Sequence, residues 1–180
     1  MTITDMLYNN VDDFGLITSA EAKELGISNA ELVRQAHRGK LERVARGVYR
    51  MPVWPYQKAA PYAIAVKSAG EKAYLYGPSV VALLELVPTD PQHVWVATSD
   101  RVRRRLGEGV MLLDSRPPGP VTYYEGVACQ PINLAILSGA SAMGATRAAQ
   151  AVQGAVRAGY LTERERDGLL KELADGKATQ

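Results

Sequence analysis

Two short helices, each with its own start and stop signal, are predicted near the beginning of the chain. In Thr18–Glu21 the spacing of hydroxyl and carboxylate is that of a capping box, in which each side chain accepts from the other residue's amide. Ser28–Glu31 repeats this spacing a few residues later. Gly26 and Gly39 provide the stops, since glycine readily adopts the left-handed conformation that ends a helix. Two short helices joined by a glycine-containing turn predict a helix-turn-helix.

A helix and a hairpin are predicted on either side of this pair. Ahead of it, Ile3, Leu7 and Val11 recur at helical spacing and predict a helix over 3–13. After it, the strand-like runs Lys40–Val44 and Val48–Met51 flank a tight turn that contains Gly47. A β-hairpin directly after a helix-turn-helix is a wing. Residues 1–52 are therefore predicted to form a winged helix-turn-helix.

Positive charge is concentrated in the same region. Between Arg34 and Pro52 there are six basic residues and one acid, Glu42, whereas the rest of the chain has 15 basic and 18 acidic residues. A basic patch on a nearly neutral protein predicts a polyanionic partner at that place.

The second helix of the pair has two faces at about 100° per residue. Leu32, Val33 and Ala36 fall on one side, and Glu31, Arg34 and Arg38 fall on the other. We expect the apolar side to be buried and the charged side to enter the major groove of DNA. The residues predicted to contact DNA are Ser28, Asn29, Arg34, Arg38 and Lys40 on and around this helix, and Arg43, Arg46 and Arg50 on the hairpin.

A second cationic run consists of Arg101, Arg103, Arg104 and Arg105. Three interpretations are open for it: a solvated loop, a further contact with DNA phosphates, or a docking site for an acidic partner.

A proline-rich connector over 52–61 predicts a domain boundary after residue 52. Beyond it the pattern predicts helices at 58–70 and 74–87, strands at 93–98, 110–113 and 121–129, and helices at 131–137, 144–158 and 162–174. The chain is thus predicted to be α+β: a winged helix-turn-helix over 1–52, then a C-terminal α/β domain over 53–180 with a small mixed sheet and C-terminal helices.

The sequence offers little for catalysis. Its two histidines, His37 and His93, lie in different predicted domains, and no phosphate-binding glycine-rich loop is present, so we expect no enzyme activity, no metal and no cofactor. The remaining enzyme alternative is a cation-dependent nuclease built on Asp114 and Glu125, which are predicted on or near adjacent strands.

The sequence also predicts where the chain acts. Met1–Asp5 does not resemble a signal peptide, and the most apolar stretch, 80–87, is far too short to span a membrane. The one cysteine, Cys129, cannot form an internal disulfide and is predicted to be a buried thiol. A cytoplasmic protein with no membrane partner is expected.

Four motifs carry a resemblance to a known family: Gly15–Thr18, Leu25–Ser28, Gly39–Val44 and Arg46–Tyr49. Together they resemble the N-terminal winged helix of the AbiEi-family antitoxins. Later in the chain, Ala73–Ser79 with Leu83–Leu86 and Ala158–Thr162 resemble the same family more loosely. The chain departs from it at Cys129–Leu134, where the family's arginine and aspartate are missing.

The resemblance implies two activities. The winged helix would repress its own operon by binding double-stranded DNA at inverted repeats in the promoter, and the C-terminal domain would counteract a cognate nucleotidyltransferase-like toxin. Because similar winged helices also precede other modules, including restriction-endonuclease-like domains, two alternatives stay open. One is a stand-alone regulator whose second domain serves dimerisation or ligand sensing, and the other is the nuclease.

Overall fold

The fold is described from a computed structural model, which describes residues 1–89 and 91–176. Its helices there are α1 (Ile3–Tyr8), α2 (Ser19–Glu24), α3 (Asn29–His37), α4 (Ala60–Ala69), α5 (Pro78–Leu83), α6 (Ile132–Met143), α7 (Ala145–Arg157) and α8 (Glu163–Ala174). Its strands are β1 (Leu16–Thr18), β2 (Glu42–Ala45), β3 (Val48–Arg50), β4 (Tyr74–Leu75), β5 (Val94–Ala97), β6 (Val110–Leu113), β7 (Thr122–Tyr124) and β8 (Val127–Cys129).

The N-terminal sheet is antiparallel with strand order β1-β3-β2, and its strands β1 and β3 contribute to a core on each face. Because side chains alternate along a strand, Ile17 and Tyr49 point to one face, where they join the core formed with α1, α2 and α3. Leu16 and Val48 point to the other face, where they join the core that contains α4. The winged helix-turn-helix therefore packs directly on the following helix.

The C-terminal sheet is mixed, with strand order β6-β5-β4-β8-β7. Strands β5 and β6 are parallel, as are β4 and β8, while the other neighbours are antiparallel. Helices α6, α7 and α8 pack on one another, and α5 lies against α6. The predicted α+β class, with a small mixed sheet and C-terminal helices, is confirmed.

Several elements differ from the prediction, among them the strand expected over 121–129, which is divided into β7 and β8. The first helix ends at Tyr8 rather than near residue 13, because the Asp12 carboxylate accepts from the amides of Phe14 and Leu16 and holds a turn there. Strand β1, which follows this turn, was not predicted. The helix predicted over 131–137 extends to Met143.

The prediction of a helix over 74–87 is wrong for the first residues of this range. Tyr74–Leu75 is a strand in the middle of the C-terminal sheet, and only Pro78–Leu83 is helical. An apolar run fits a buried strand as well as a buried helix, so periodicity does not separate them. Gly77, with a positive φ of 49°, makes the break between the two elements.

The capping signals were predicted with more success. The box at Thr18–Glu21 has both of its reciprocal hydrogen bonds. At Ser28 only half of the box forms: its hydroxyl accepts from the Glu31 amide, but the Glu31 side chain binds elsewhere.

Cys129 is buried, as predicted, and burial raises the pKa of its thiol to about 12. In the described part of the chain, no helix combines the length and apolarity needed to cross a bilayer.

Helix α7 comes very close to the backbone that follows α5, and Gly154 makes this possible. A Cβ atom at this position would collide with the carbonyl oxygen of Leu86. Gly168 in α8 differs, because a Cβ atom there would meet nothing within 4 Å.

These two helical glycines give a matched pair for a stability test. Gly154→Ala should lower the free energy of unfolding by about 1–3 kcal/mol, because the backbone must shift to relieve the overlap. Gly168→Ala should raise it by about 0.5–1 kcal/mol, because alanine is the better helix former. Urea unfolding followed by circular dichroism measures both, and equal effects at the two positions would contradict the close approach of α7.

Candidate nucleic-acid interface

Helix α3 is anchored along one side. Leu32 is fully buried and Gln35 is 6% exposed. The Gln35 amide is satisfied, because its Nε2 donates to Glu31 Oε1 at 2.7 Å and its Oε1 accepts from the Thr4 hydroxyl at 3.5 Å. These contacts fix the rotation of α3 about its own axis and so decide which residues face outward.

The exposed side chains of α3 form what we call the outer face: Asn29, Ala30, Val33, Arg34 and His37. The prediction that Val33 belongs to the buried stripe is wrong, since this side chain is 39% exposed. Gln35, three residues after Leu32, is buried instead. The buried side of α3 is therefore centred on Leu32 and Gln35, and not on the apolar residues that the sequence pattern grouped. The apolar pattern of the sequence did not indicate this, because Gln35 is polar and is buried through its hydrogen bonds to Glu31 and Thr4.

Arg34 lies on the outer face, and an ion pair with Glu31 fixes its side chain. Its guanidinium is 2.6 Å from the Glu31 carboxylate, and its side chain is 58% exposed. Glu31 is itself tied to Gln35. Because a guanidinium has five donors, one pair with Glu31 leaves others free for an acceptor in solution.

The basic residues that follow Arg34 are more open. Arg38 and Lys40, at the end of α3, are exposed and make no ion pair within the described residues. The N-terminal end is different: the Ser28 hydroxyl is engaged as the helix cap, and Asn29 Oδ1 accepts from the Ser19 hydroxyl at 3.4 Å. Both side chains remain exposed.

The hairpin β2–β3 carries its three arginines in two environments. Arg43 and Arg46 are exposed. Arg50 is only 14% exposed, lies 3.7 Å from the Glu42 carboxylate, and donates to the carbonyl of Trp54 at 2.6 Å. Arg50 thus holds the hairpin to the connector that follows it, and its predicted DNA contact stays a prediction.

The hairpin turn is tied to the start of α2 rather than free in solution. The Ser19 amide donates to the carbonyl of Gly47 at 2.9 Å. The turn borders a cavity of about 710 Å³ between the winged helix and the C-terminal part, lined in part by Arg46, Lys67 and Arg104. Arg46 therefore lies close to the junction between the two parts.

Lys67 of α4 crosses this junction. Its Nζ lies 2.8 Å from Glu21 and 3.5 Å from Asp12, both in the winged helix. Partial burial tends to raise the pKa of Glu21, but hydrogen bonds from Lys67 and Thr18 outweigh it and leave the pKa below its usual value. The carboxylate that caps α2 is thus also bonded to α4. Nothing in the sequence pattern singles out this lysine.

The second cationic run is divided by the structure. Arg104 donates through Nε and Nη2 to the carbonyl of Ser68, at 3.0 and 2.6 Å, near the end of α4. Arg101, Arg103 and Arg105 are exposed. Arg104 therefore supports the end of α4, while the three interpretations stay open for the other members.

The carboxylates of the nuclease alternative do not come together. Asp114 follows β6 and Glu125 lies in the β7–β8 turn, so the strand order places them at opposite edges of the sheet. The Asp114 carboxylate accepts from the Val102 amide at 2.9 Å. The expectation that Asp114 and Glu125 lie on or near adjacent strands is therefore wrong. Across residues 1–89 and 91–176, no three His, Cys, Asp or Glu side chains are grouped as metal ligands.

Residues 5–52 match the model of a family described as transcriptional regulator, AbiEi antitoxin. The resemblance predicted from the N-terminal motifs is thereby confirmed over these residues, which make up about a quarter of the chain. No curated protein matches the chain. The looser resemblance of the C-terminal part stays a prediction, as does the domain boundary after residue 52.

Removing the Lys67 charge tests the junction. Lys67→Met should lower the free energy of unfolding by about 0.5–1 kcal/mol at pH 7, because two carboxylates lose a half-buried partner. Since the folded-state pKa of Glu21 is lowered, its contribution is complete above the ordinary value of 4.5 and is lost as the pH falls through the lowered one. The difference between variant and parent should therefore shrink in acid.

Urea unfolding at a series of pH values measures this, with Lys171→Met in α8 as the control. Lys171 makes no ion pair in the described part of the chain. An equal loss in the control, or a difference unchanged at pH 3, would contradict the role of Lys67.

Proposed function

We propose that this protein is a sequence-specific, double-stranded-DNA-binding transcriptional regulator that places α3 in the major groove. The observation that carries the proposal is the outer face of α3, an exposed helical surface with Arg34 at its middle and with the exposed Arg38 and Lys40 directly after it. This segment matches a family of transcriptional regulators. Its proposed site of action is the cytoplasm.

The charge distribution supports contact with both bases and phosphates. Arg34 is held at the middle of α3, where a bidentate contact with a guanine is the commonest readout by arginine. Arg38, Lys40 and Arg43 are exposed on or just after the helix, where they suit phosphate contacts that fix the protein on the duplex. Arg50 is not needed for this arrangement.

We further propose that the protein represses its own operon at inverted repeats and that residues 53–180 counteract a nucleotidyltransferase-like toxin. The support is the family match over residues 5–52 together with the looser motifs of the C-terminal part.

A second candidate is a stand-alone regulator with no toxin, in which the C-terminal part senses a ligand. One observation favours it: the cavity of about 710 Å³ lies at the junction where a bound molecule would contact both parts. Co-expression with the neighbouring gene separates the two. Rescue of growth from a toxic neighbour supports the antitoxin, whereas a neighbour without toxicity favours the stand-alone regulator.

Fluorescence anisotropy of the full chain on its promoter DNA and on a scrambled duplex, across a salt series, tests DNA binding. Tighter binding to the promoter at physiological salt is expected. Weak, equal and steeply salt-dependent binding to both duplexes would reduce the basic region to a general polyanion surface and overturn the proposal.

Arginine variants test the proposed orientation on the same two duplexes. Arg34→Ala or Arg38→Ala should weaken promoter binding by about 1–3 kcal/mol if the residue reads a base, with a smaller effect on the scramble. Arg46→Ala should weaken both duplexes alike and reduce the salt slope by about 0.9 if the wing contacts one phosphate.

The matched control is Arg147→Ala, an exposed arginine of α7 far from the winged helix in the chain. It should leave both affinities unchanged. Unchanged affinity in the Arg34, Arg38 and Arg46 variants would contradict the use of α3 and the hairpin.

A further inference from the structure

We propose that Val33 contacts the 5-methyl group of a thymine in the major groove and so sets part of the DNA sequence that the protein prefers. This inference rests on the proposed function, in which α3 enters that groove. It adds a residue that reads bases through apolar contact to those that act through charge.

The position of Val33 is the first step of the argument. It lies near the middle of α3, and 39% of it is exposed. The buried residues of this helix, Leu32 and Gln35, lie on its other side. Ala30 is three residues before it and His37 four residues after it, so all three share one face. An aliphatic side chain therefore stands at the centre of the surface that the proposal docks on DNA.

Its surroundings are the second step. A single exposed aliphatic residue is common on protein surfaces and by itself indicates nothing. Here, however, Val33 directly precedes Arg34, whose guanidinium is drawn toward Glu31 by the 2.6 Å ion pair. Valine is also a weaker helix former than alanine, so local helix stability does not account for it.

The chemistry of the groove is the third step. Thymine is the one base that presents a methyl group in the major groove, beside its O4 acceptor. Apolar side chains contact that methyl, whereas arginine contacts the N7 and O6 acceptors of guanine. Neighbouring Val33 and Arg34 therefore predict a preferred site in which a thymine lies close to a guanine.

The test begins with selection of the preferred duplex from a random pool by the full chain. Each thymine of that site is then replaced in turn by deoxyuridine, which lacks the methyl group but keeps the same pairing. For the unchanged protein, at least one replacement should lower affinity about fourfold, the loss expected for one buried methyl-sized group. Val33→Ala, which shortens the apolar side chain, should bind the parent site more weakly and show a smaller loss at that thymine. A double-mutant cycle of protein and DNA changes isolates this contact.

Val121→Ala is the matched control, because Val121 is also exposed, at 44%, and lies outside the winged helix. It should keep both the parent affinity and the deoxyuridine effect. Circular dichroism checks that each variant is folded, and Val33→Ser provides a second removal of the apolar contact.

Two outcomes overturn this inference alone: a preferred site whose binding is insensitive to every deoxyuridine, or Val33 variants that keep the full sensitivity. A pool that yields no preferred sequence overturns the proposed function, and this inference with it.

Discussion

Helix α4 is the element on which the rest of the structure depends, because it lies between the two sheets. It contacts all three strands of the N-terminal sheet and also β4, β5 and β8 of the C-terminal sheet. Its residues suit that position: Ala63, Ala65 and Ala69 are buried, and their small side chains allow close approach on several sides. A helix that is apolar around most of its circumference is stable only inside a protein.

This central helix also relates the two parts of the proposed regulator. Leu16 and Val48 of the winged helix share a core with α4. Lys67, near the end of α4, bonds to Glu21, the glutamate of the capping box of α2. Arg104 supports the end of the same helix from the loop between β5 and β6. A change in the C-terminal part that moves α4 would therefore reach the helix-turn-helix through packed side chains and through charge.

Local rules account for what the sequence predicted well. The Thr18–Glu21 cap and the left-handed glycines at 26 and 39 depend on residues within one helical turn, so the helix-turn-helix follows from the chain itself. Failures occurred where a local pattern fits two structures. Tyr74–Leu75 was predicted as helix because a buried strand and a buried helix share the same apolar run.

By itself, then, the sequence determined the winged helix-turn-helix, the concentration of basic residues in it, and the resemblance of residues 5–52 to a family of regulators. Only the tertiary structure decided how each charge is used. It buried Gln35 and exposed Val33, engaged Arg50 and Arg104 on carbonyl oxygens, and separated Asp114 from Glu125 across the sheet. The physical reason is that rotation of a helix and order of strands are set by packing between residues far apart in the chain, which no local pattern records.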